Sequence, residues 1–457
     1  MTSKIVVIKF GGTSVAEPKH WRTIAERLQF HLGKGNCPIV VLSALKNVSN
    51  RLEELLHLAI QGKHNEAIKD LKVLHLTFSQ QLKLDTEKLL QPWFSQLEED
   101  CRSIYQKALI DPSVHARVLA IGELLSTTIG AEYLRQQGFE LLWQDARKLL
   151  KSTTQQDPWH HYTSAECNYE YDVQTIEKLY GNRQPNNQLV VTQGFIASDS
   201  KGETVLLGRE GSDTSAAYLA AMTGTKQLEI WTDVTGVFSA NPREIGTAKP
   251  LPYLSYSQSY LMAKFGAKVL HPRVLKPAEQ NGIIVNVRST SQAAHPGTII
   301  STQNLEESEV IAVVTEPKVG RLIFKGRKAV GQSERIISLL NSLGFDIILD
   351  GHSNDKYYVI VKYVNTDKAS FNQMELKTSF SKEKLNTYDE GALVTLVTET
   401  NHERWNHAFE DWINAQEGGK VVDYFHKNDS PTYILLVALS DSLSISQLLH
   451  RKFIEKN

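Results

Sequence analysis

Residues 5–18 read IVVIKFGGTSVAEP. Ile5, Val6, Val7 and Ile8 form an unbroken β-branched run, the pattern of a strand buried on both faces rather than one that alternates between core and water. Two adjacent glycines follow Lys9 and Phe10, and a helix is expected to begin near Pro18. A strand, a glycine turn and a helix start in succession make an anion site: Gly11 and Gly12 let the backbone come close, and the loop and helix N–H groups point at the ligand. Lys9 adds a mobile positive charge. A bare Gly-Gly pair is more often a plain turn, but the full string KFGGTSVA, residues 9–16, argues for more.

Outward from this stretch the same alternation continues. A second β-branched run, IVVL at 39–42, is followed by apolar residues at helical spacing, Leu52, Leu55, Leu56 and Ala59. Residues 50–111, rich in Leu, Gln, Glu and Lys, read as a helical excursion without evident chemistry. A helix over 114–137 stops at Gly138, a strand follows over 139–143, and the α/β pattern resumes at 189–196, 204–207 and 228–231. The fold class is α/β, a largely parallel sheet flanked by helices. The polar, acidic stretch 304–309 marks a boundary. Beyond it two small βαββ patterns follow, with strands at 322–324, 345–349 and 357–363 around a helix at 334–342, then strands at 392–397, 420–425 and 433–438 around a helix at 402–415. The expected division is therefore 1–303 and 310–457, the latter holding two α+β modules at about 320–388 and 390–457.

Composition excludes several classes. A chain of 457 residues with 41% hydrophobic and 22% charged side chains is ordinary globular protein. Fifty basic against 51 acidic groups give a formal charge of −1, which argues against coating nucleic acid or anionic membrane. Cys37, Cys101 and Cys167 are odd in number and widely spaced, so neither a disulfide framework nor a zinc site is indicated, and a cytoplasmic setting is expected. The start of the chain does not read as a signal sequence, and no run is long enough to span a membrane.

Three further segments carry chemistry. GREGSDTSAAYLAA, from Gly208, follows a strand and enters an Ala-rich helix; Arg209 offers the planar fork that carboxylates and phosphates prefer. Ser212, Asp213 and Thr214 could cap that helix, and capping is the competing explanation for Asp213 and Thr214. IWTDVTGVFSANPR, residues 230–243, is a strand ending in a polar loop of the kind that holds a nucleotide. KFGAKVLHP, residues 264–272, contributes Lys268 as a second cation. His160, His161 and Cys167 read as a surface loop rather than a metal site, with adjacent histidines pointing apart, and His271 before Pro272 reads as structural.

In this order the segments, with GELLS at 122–126 and VTQGFI at 191–196, resemble the aspartokinase branch of the amino-acid kinase family over residues 5–300; the tail is similar in outline to paired ACT-type regulatory modules. The resemblance implies ATP-dependent phosphorylation of the side-chain carboxylate of L-aspartate. It implies that Lys9, Gly11 and Gly12 hold the β- and γ-phosphates, that Lys268 stabilises the transferring group and that Asp213 orients the lysines. Arg209 would take the α-carboxylate of aspartate and Glu123 its ammonium, with Ser43, Ser49 and Ser212 bonding substrate or phosphate. Thr232, Asp233, Phe238 and Arg243 match positions lining the ATP pocket. Magnesium is expected on the phosphates, held mostly by ATP and water with at most a carboxylate such as Asp213 or Asp233 nearby, and a homodimer is expected through the tail. The chemistry is consistent, since a carboxylate with a pKa of about 3.9 is already ionised and needs no general base, so positioning and charge neutralisation do the work.

The sequence also departs from the family pattern. Glu210 replaces a glycine beside the anion site, Phe238 stands where an aromatic hydroxyl is common, and YSQSYLMAKFG, from Tyr256, lacks acidic residues usual in that helix. Glu210 motivates a rival function, a weakened kinase acting as an amino-acid-binding regulatory subunit; a related carboxylate or carbamate kinase is the other. For feedback by lysine, the expected effector positions read Gly331, Gln332 and Ile348, without the usual ammonium partner. Asp346 and Asp350 are expected to share the face of Ile348, and lysine inhibition is expected to be weak or absent.

Overall fold

The computed structural model describes residues 4–181, 188–267, 270–302, 310–325, 332–353, 356–363, 380, 385–398, 403–415, 421–425 and 431–455. The N-terminal β-branched run forms β1 (Lys4–Phe10), in which Val6, Val7, Ile8 and Phe10 are wholly buried. With it run β2 (Asn36–Leu42), β3 (Leu141–Gln144), β4 (Leu189–Gln193), β5 (Gln227–Thr232), β6 (Tyr253–Ser255), β7 (Ile284–Ser289) and β8 (Thr298–Ser301). Among the described residues these make one sheet in the order β6-β8-β7-β5-β1-β2-β4-β3. Every neighbouring pair is parallel except β7 with β8. The expected α/β class is present, with β1 in the interior of the sheet, which is why its apolar run is unbroken.

Helices α1 (Gly12–Val15) and α2 (Pro18–Gly33) follow β1. The Leu-rich excursion forms α3 (Val48–Ile60), α4 (His64–Gln81) and α5 (Glu87–Lys107), and α6 (Pro112–Gln136) returns to the sheet. One hydrophobic core joins β1, β2, β4 and these helices. Then come α7 (Pro158–Thr163), α8 (Val173–Tyr180), α9 (Gly211–Met222), α10 (Tyr256–Lys264) and α11 (Pro272–Gln280). The strand expected over 189–196 is broken: β4 ends at Gln193, Phe195 turns the chain with φ +67°, and Ile196–Ser198 pairs antiparallel with Thr204–Leu206 as a separate ribbon. β7 was not expected, because Asn286 and Arg288 interrupt its apolar residues.

The chain divides into two compact units. The first comprises Met1–Val237, Pro252–Tyr256 and Leu270–Leu305, and the second Phe238–Leu251, Ser257–Val269 and Glu306–Asn457. The stretch at 304–309 lies outside the described residues. In the second unit, β9 (Val310–Lys325), β10 (Phe345–Ser353), β11 (Lys356–Tyr363), β12 (Leu385–Thr398), β13 (Val421–Phe425) and β14 (Thr432–Val437) form an antiparallel sheet in the order β10-β11-β9-β12-β14-β13. α12 (Ser333–Ser342), α13 (Glu403–Asn414) and α14 (Ser442–His450) accompany it. Two apolar clusters lie on it, one around Phe324, Ile336 and Tyr357, the other around Trp405, Phe409 and Tyr433.

Two particulars of this unit bear on function. Asp346 pairs with Lys362 and Asp350 with Val359, because Ile348 is an extra, bulged residue between Ile347 and Leu349. Partners three apart on one strand face opposite ways, so Asp346 and Asp350 lie on opposite faces, not the shared face that simple alternation predicts. Asp350 instead accepts a hydrogen bond from the Tyr357 hydroxyl at 3.0 Å. Gly331 lies outside the described residues, and Gln332 is the residue before α12. Separately, residues 238–251 are tied to the chain's end: Ser239 Oγ lies 2.9 Å from His450 Nε2, Lys249 Nζ donates to the Ile454 carbonyl at 2.7 Å, and Glu455 bonds both His450 and Thr247.

Candidate active site

The carboxyl ends of four parallel strands stop level with one another: Phe10 lies opposite both Leu42 and Trp231, and Leu42 opposite Gln193. The loops leaving β1, β2, β4 and β5 therefore meet at one edge, where open parallel sheets bind ligands. The Gly11 amide donates to the Trp231 carbonyl at 3.0 Å, and the Ser14 hydroxyl donates to the same oxygen at 3.3 Å. A β-carbon on Gly12 would stand 2.9 Å from the Ala44 carbonyl, so only glycine lets the turn after β1 lie this close to the loop after β2.

Lys9 points from β1 to an ion pair with the Asp213 carboxylate, and both side chains are buried. Asp213 is the third residue of α9, which packs against β1, β2 and β5. The capping explanation for Ser212, Asp213 and Thr214 fails: α9 begins at Gly211, its N-cap is Glu210, and all three lie within the first turn. Thr214 hydrogen-bonds back to the Glu210 carbonyl at 3.1 Å. Ser212 is buried against Gly194, where a β-carbon would lie 2.4 Å from that of the serine. Gly194 thus sets how closely α9 approaches the end of β4. VTQGFI contained this residue, but only the packing reveals its role.

Ser43 directly follows β2, with its amide on the Phe10 carbonyl at 3.2 Å, and Ser49 is the second residue of α3; both are half-buried. Glu123 lies mid-way along α6 and is 3% exposed. Gly122 permits this: a β-carbon there would meet that of Ala44 at 3.0 Å. The Ala44 amide donates to one Glu123 carboxylate oxygen at 3.2 Å, while the other oxygen is buried with no partner among the described residues. Burial pushes the Glu123 carboxyl up to about 8, against the lowering effect of the Ala44 amide. A buried acceptor without a partner suits a cationic donor arriving with a ligand.

Arg209 is exposed on the turn into α9. Glu210 occupies the left-handed region, φ 51° and ψ 29°, a conformation that favours glycine. The residue is open to solvent, yet its carboxyl turns toward the site. Desolvation, then the charge of Asp213 and a hydrogen bond with it, push that carboxyl up to about 7. At β5, half-buried Thr232 donates to Asp233 Oδ1 at 3.1 Å, and Asp233 is exposed. Phe238 and Arg243 belong to the second unit; Phe238 is half-buried and Arg243 exposed. Lys268 lies outside the described residues. His160 and His161 sit in α7, with His161 Nε2 3.5 Å from Asp199, and all three cysteines are buried free thiols. His271 caps α11, its ring accepting the Arg273 amide at 3.2 Å.

A model of the amino acid kinase family matches residues 4–289. The chain belongs to the amino acid kinase family. Among curated members, lysine-sensitive aspartokinase 3 of Escherichia coli is 32% identical over 348 residues, 75% of this chain and 72% of that protein. The bifunctional aspartokinase/homoserine dehydrogenase of Haemophilus influenzae is 31% identical over 82% of this chain, which spans only 46% of that longer protein. The solved E. coli aspartokinase III in complex with lysine and aspartate shares 26% identity and a TM-score of 0.77, covering 99% of this chain and all of that one. The same enzyme with aspartate and ADP superposes with a TM-score of 0.83 at 24% identity, 98% of this chain and 99% of that one, a likeness of fold. No helix among the described residues of this family member is long and apolar enough to cross a membrane.

Proposed function

We propose that this amino acid kinase transfers the γ-phosphoryl group of ATP to the side-chain carboxylate of L-aspartate, giving aspartyl phosphate as the first step of a pathway to aspartate-derived amino acids, lysine among them. The observation that carries this reading is the pairing of two unlike subsites at one sheet edge: a buried lysine beside a glycine turn, and a buried carboxyl with an unpartnered oxygen. The first suits a phosphate and the second an ammonium. Lys9 meets the β- and γ-phosphates, Gly11 and Gly12 bring the main chain to them, and Asp213 holds Lys9 in place. Arg209 takes the α-carboxylate of aspartate and Glu123 its ammonium, while Ser43, Ser49 and Ser212 bond substrate or phosphate. The aspartate side chain attacks as the carboxylate it already is, and the cations hold it in line with the phosphorus. Thr232 and Asp233 stand for the nucleotide at the end of β5; Phe238, Arg243 and Lys268 are assigned to ATP on their motifs alone.

Among the described residues no three His, Cys, Asp or Glu side chains converge as a metal cage. A magnesium ion is assigned to the nucleotide's phosphates and water, where it would neutralise their charge. We assign residues 310–457 to two ACT-like regulatory modules, a homodimer to those modules, and the cytoplasm to the whole protein. The support for the two modules is the antiparallel six-stranded sheet with two βαββ halves, each with its own apolar cluster. Supplying ATP, magnesium and aspartate and trapping the acyl phosphate with hydroxylamine tests the reaction: turnover with aspartate alone among small acids is expected. The inward carboxyl of Glu210 favours the second reading, a weakened kinase serving as an amino-acid-binding subunit, and absence of hydroxamate with intact amino-acid binding would select it.

A further inference from the structure

Arg273 is the second residue of α11 and is half-buried. Its guanidinium reaches away from its own helix. Nη1 donates to the Leu207 carbonyl at 2.9 Å, and Nη2 donates to the Ser164 carbonyl at 3.3 Å. Leu207 is the last residue before the turn that carries Arg209, and Ser164 ends α7. Between Leu207 and Arg209, Gly208 has φ +74°, and a β-carbon on it would stand 2.9 Å from Ser164 Oγ and 3.3 Å from Arg273 Nη1. The Leu207 amide is bonded in turn to the Phe195 carbonyl at 2.8 Å. One planar cation thus spans two carbonyls from separate segments and closes against the glycine between them, which a lysine's single point of charge does not reproduce.

We propose that Arg273 is a positioning residue for aspartate binding: by holding the Leu207–Gly208 peptide it fixes where Arg209 meets the substrate's α-carboxylate. This rests on the assignment of Arg209 made above. The glycine loop after β1 and Lys9 are held instead by Trp231 and Asp213. Loss of the Arg273 contacts therefore acts on one substrate and not the other. A displaced binding group commonly costs about 10- to 100-fold.

The test is steady-state kinetics on the full chain, with aspartate and ATP varied separately, for Arg273→Gln, Arg273→Lys and Arg209→Lys, alongside their melting temperatures. Arg273→Gln is expected to raise KM for aspartate at least about ten-fold while KM for ATP stays within about two-fold, with Arg273→Lys intermediate. An unchanged aspartate KM, or equal rises for both substrates, overturns the proposal. If Arg209→Lys itself leaves the aspartate KM unchanged, the underlying assignment falls and the proposal with it; a rise there without one in Arg273→Gln removes only the positioning role. Should Arg273→Gln fail to fold, Gly208→Ala perturbs the same peptide by pressing a β-carbon against Ser164 and Arg273. The same selective rise supports the proposal, and an equal effect on both substrates or none overturns it.

Discussion

Replacing Glu210 by glycine is expected to improve this enzyme, and more so at high pH. The Glu210 carboxyl is bonded to Asp213, which in turn pairs with Lys9, so a phosphate on Lys9 would lie about 6 Å from it. At an effective dielectric near 20 that repulsion is about 3 kcal/mol, and exposure to water and salt reduces it to about 1 kcal/mol, roughly five-fold in kcat/KM for ATP. The effect needs an ionised Glu210. Since that carboxyl is pushed up to about 7, the gain should be near five-fold at pH 8 and under about two-fold at pH 6. Stability follows the same sign. The folded state holds a proton on Glu210 that the unfolded chain has released, between the ordinary value of 4.5 and about 7, so rising pH through that window lowers wild-type stability. The variant escapes this loss and also relieves the left-handed backbone, by about 1 kcal/mol at every pH. Initial rates over a range of ATP at both pH values, with thermal melts at pH 5 and 8, check the reasoning. A variant-to-wild-type ratio that is the same at pH 6 and 8, or falls below one at pH 8, refutes it.

Lys9→Ala should cut turnover at least about 100-fold and lower the melting temperature, because it deletes the cation proposed for the transferring group and strands the buried Asp213; kcat near wild type would remove Lys9 from the proposed mechanism. Glu123→Gln should weaken aspartate far more than ATP. It should also abolish the fall in aspartate KM that the wild type shows as pH rises through about 8, where Glu123 ionises, and a pH-independent wild-type KM would count against the ammonium assignment. Gly194→Ala should destabilise the protein by about 1–3 kcal/mol in chemical denaturation, since its new β-carbon meets Ser212 in a buried contact; wild-type stability would show that α9 yields freely. Lysine titrated against initial rate at sub-saturating aspartate should inhibit weakly or not at all, and strong inhibition at micromolar lysine would overturn this.

The kinase sheet was legible where burial is two-sided, because β1 and β2 need β-branched residues throughout. The strand β7 is hard to read in the sequence because its polar Asn286 and Arg288 alternate with Val285 and Val287, and a half-buried strand of six residues is a weak signal. Lys9, Gly12 and Asp213 were legible as a motif, yet their partnership depends on the level endings of β1, β2 and β5, which local pattern does not encode. The orientation of Glu210 was open in the sequence, since a left-handed residue before a helix can turn its side chain either way. The bulge at Ile348 shows the limit of alternation: one extra residue sends Asp346 and Asp350 to opposite faces, and nothing in FDIILDG announces it.

The bonds of Ser239 and Lys249 to His450 and Ile454 have a consequence for biosynthesis and for protein engineering. As the ribosome delivers the chain, residues 238–251 emerge about two hundred residues before the partners that hold them, so this stretch waits unanchored until residues 450–455 have also been made. A fragment truncated near residue 303 would retain every strand of the kinase sheet and still leave the segment bearing Phe238 and Arg243 without its anchors. A shortened protein meant to keep residues 238–251 in place therefore has to extend through Glu455, and a stop codon at His450 should loosen that stretch although it lies about two hundred residues earlier in the chain.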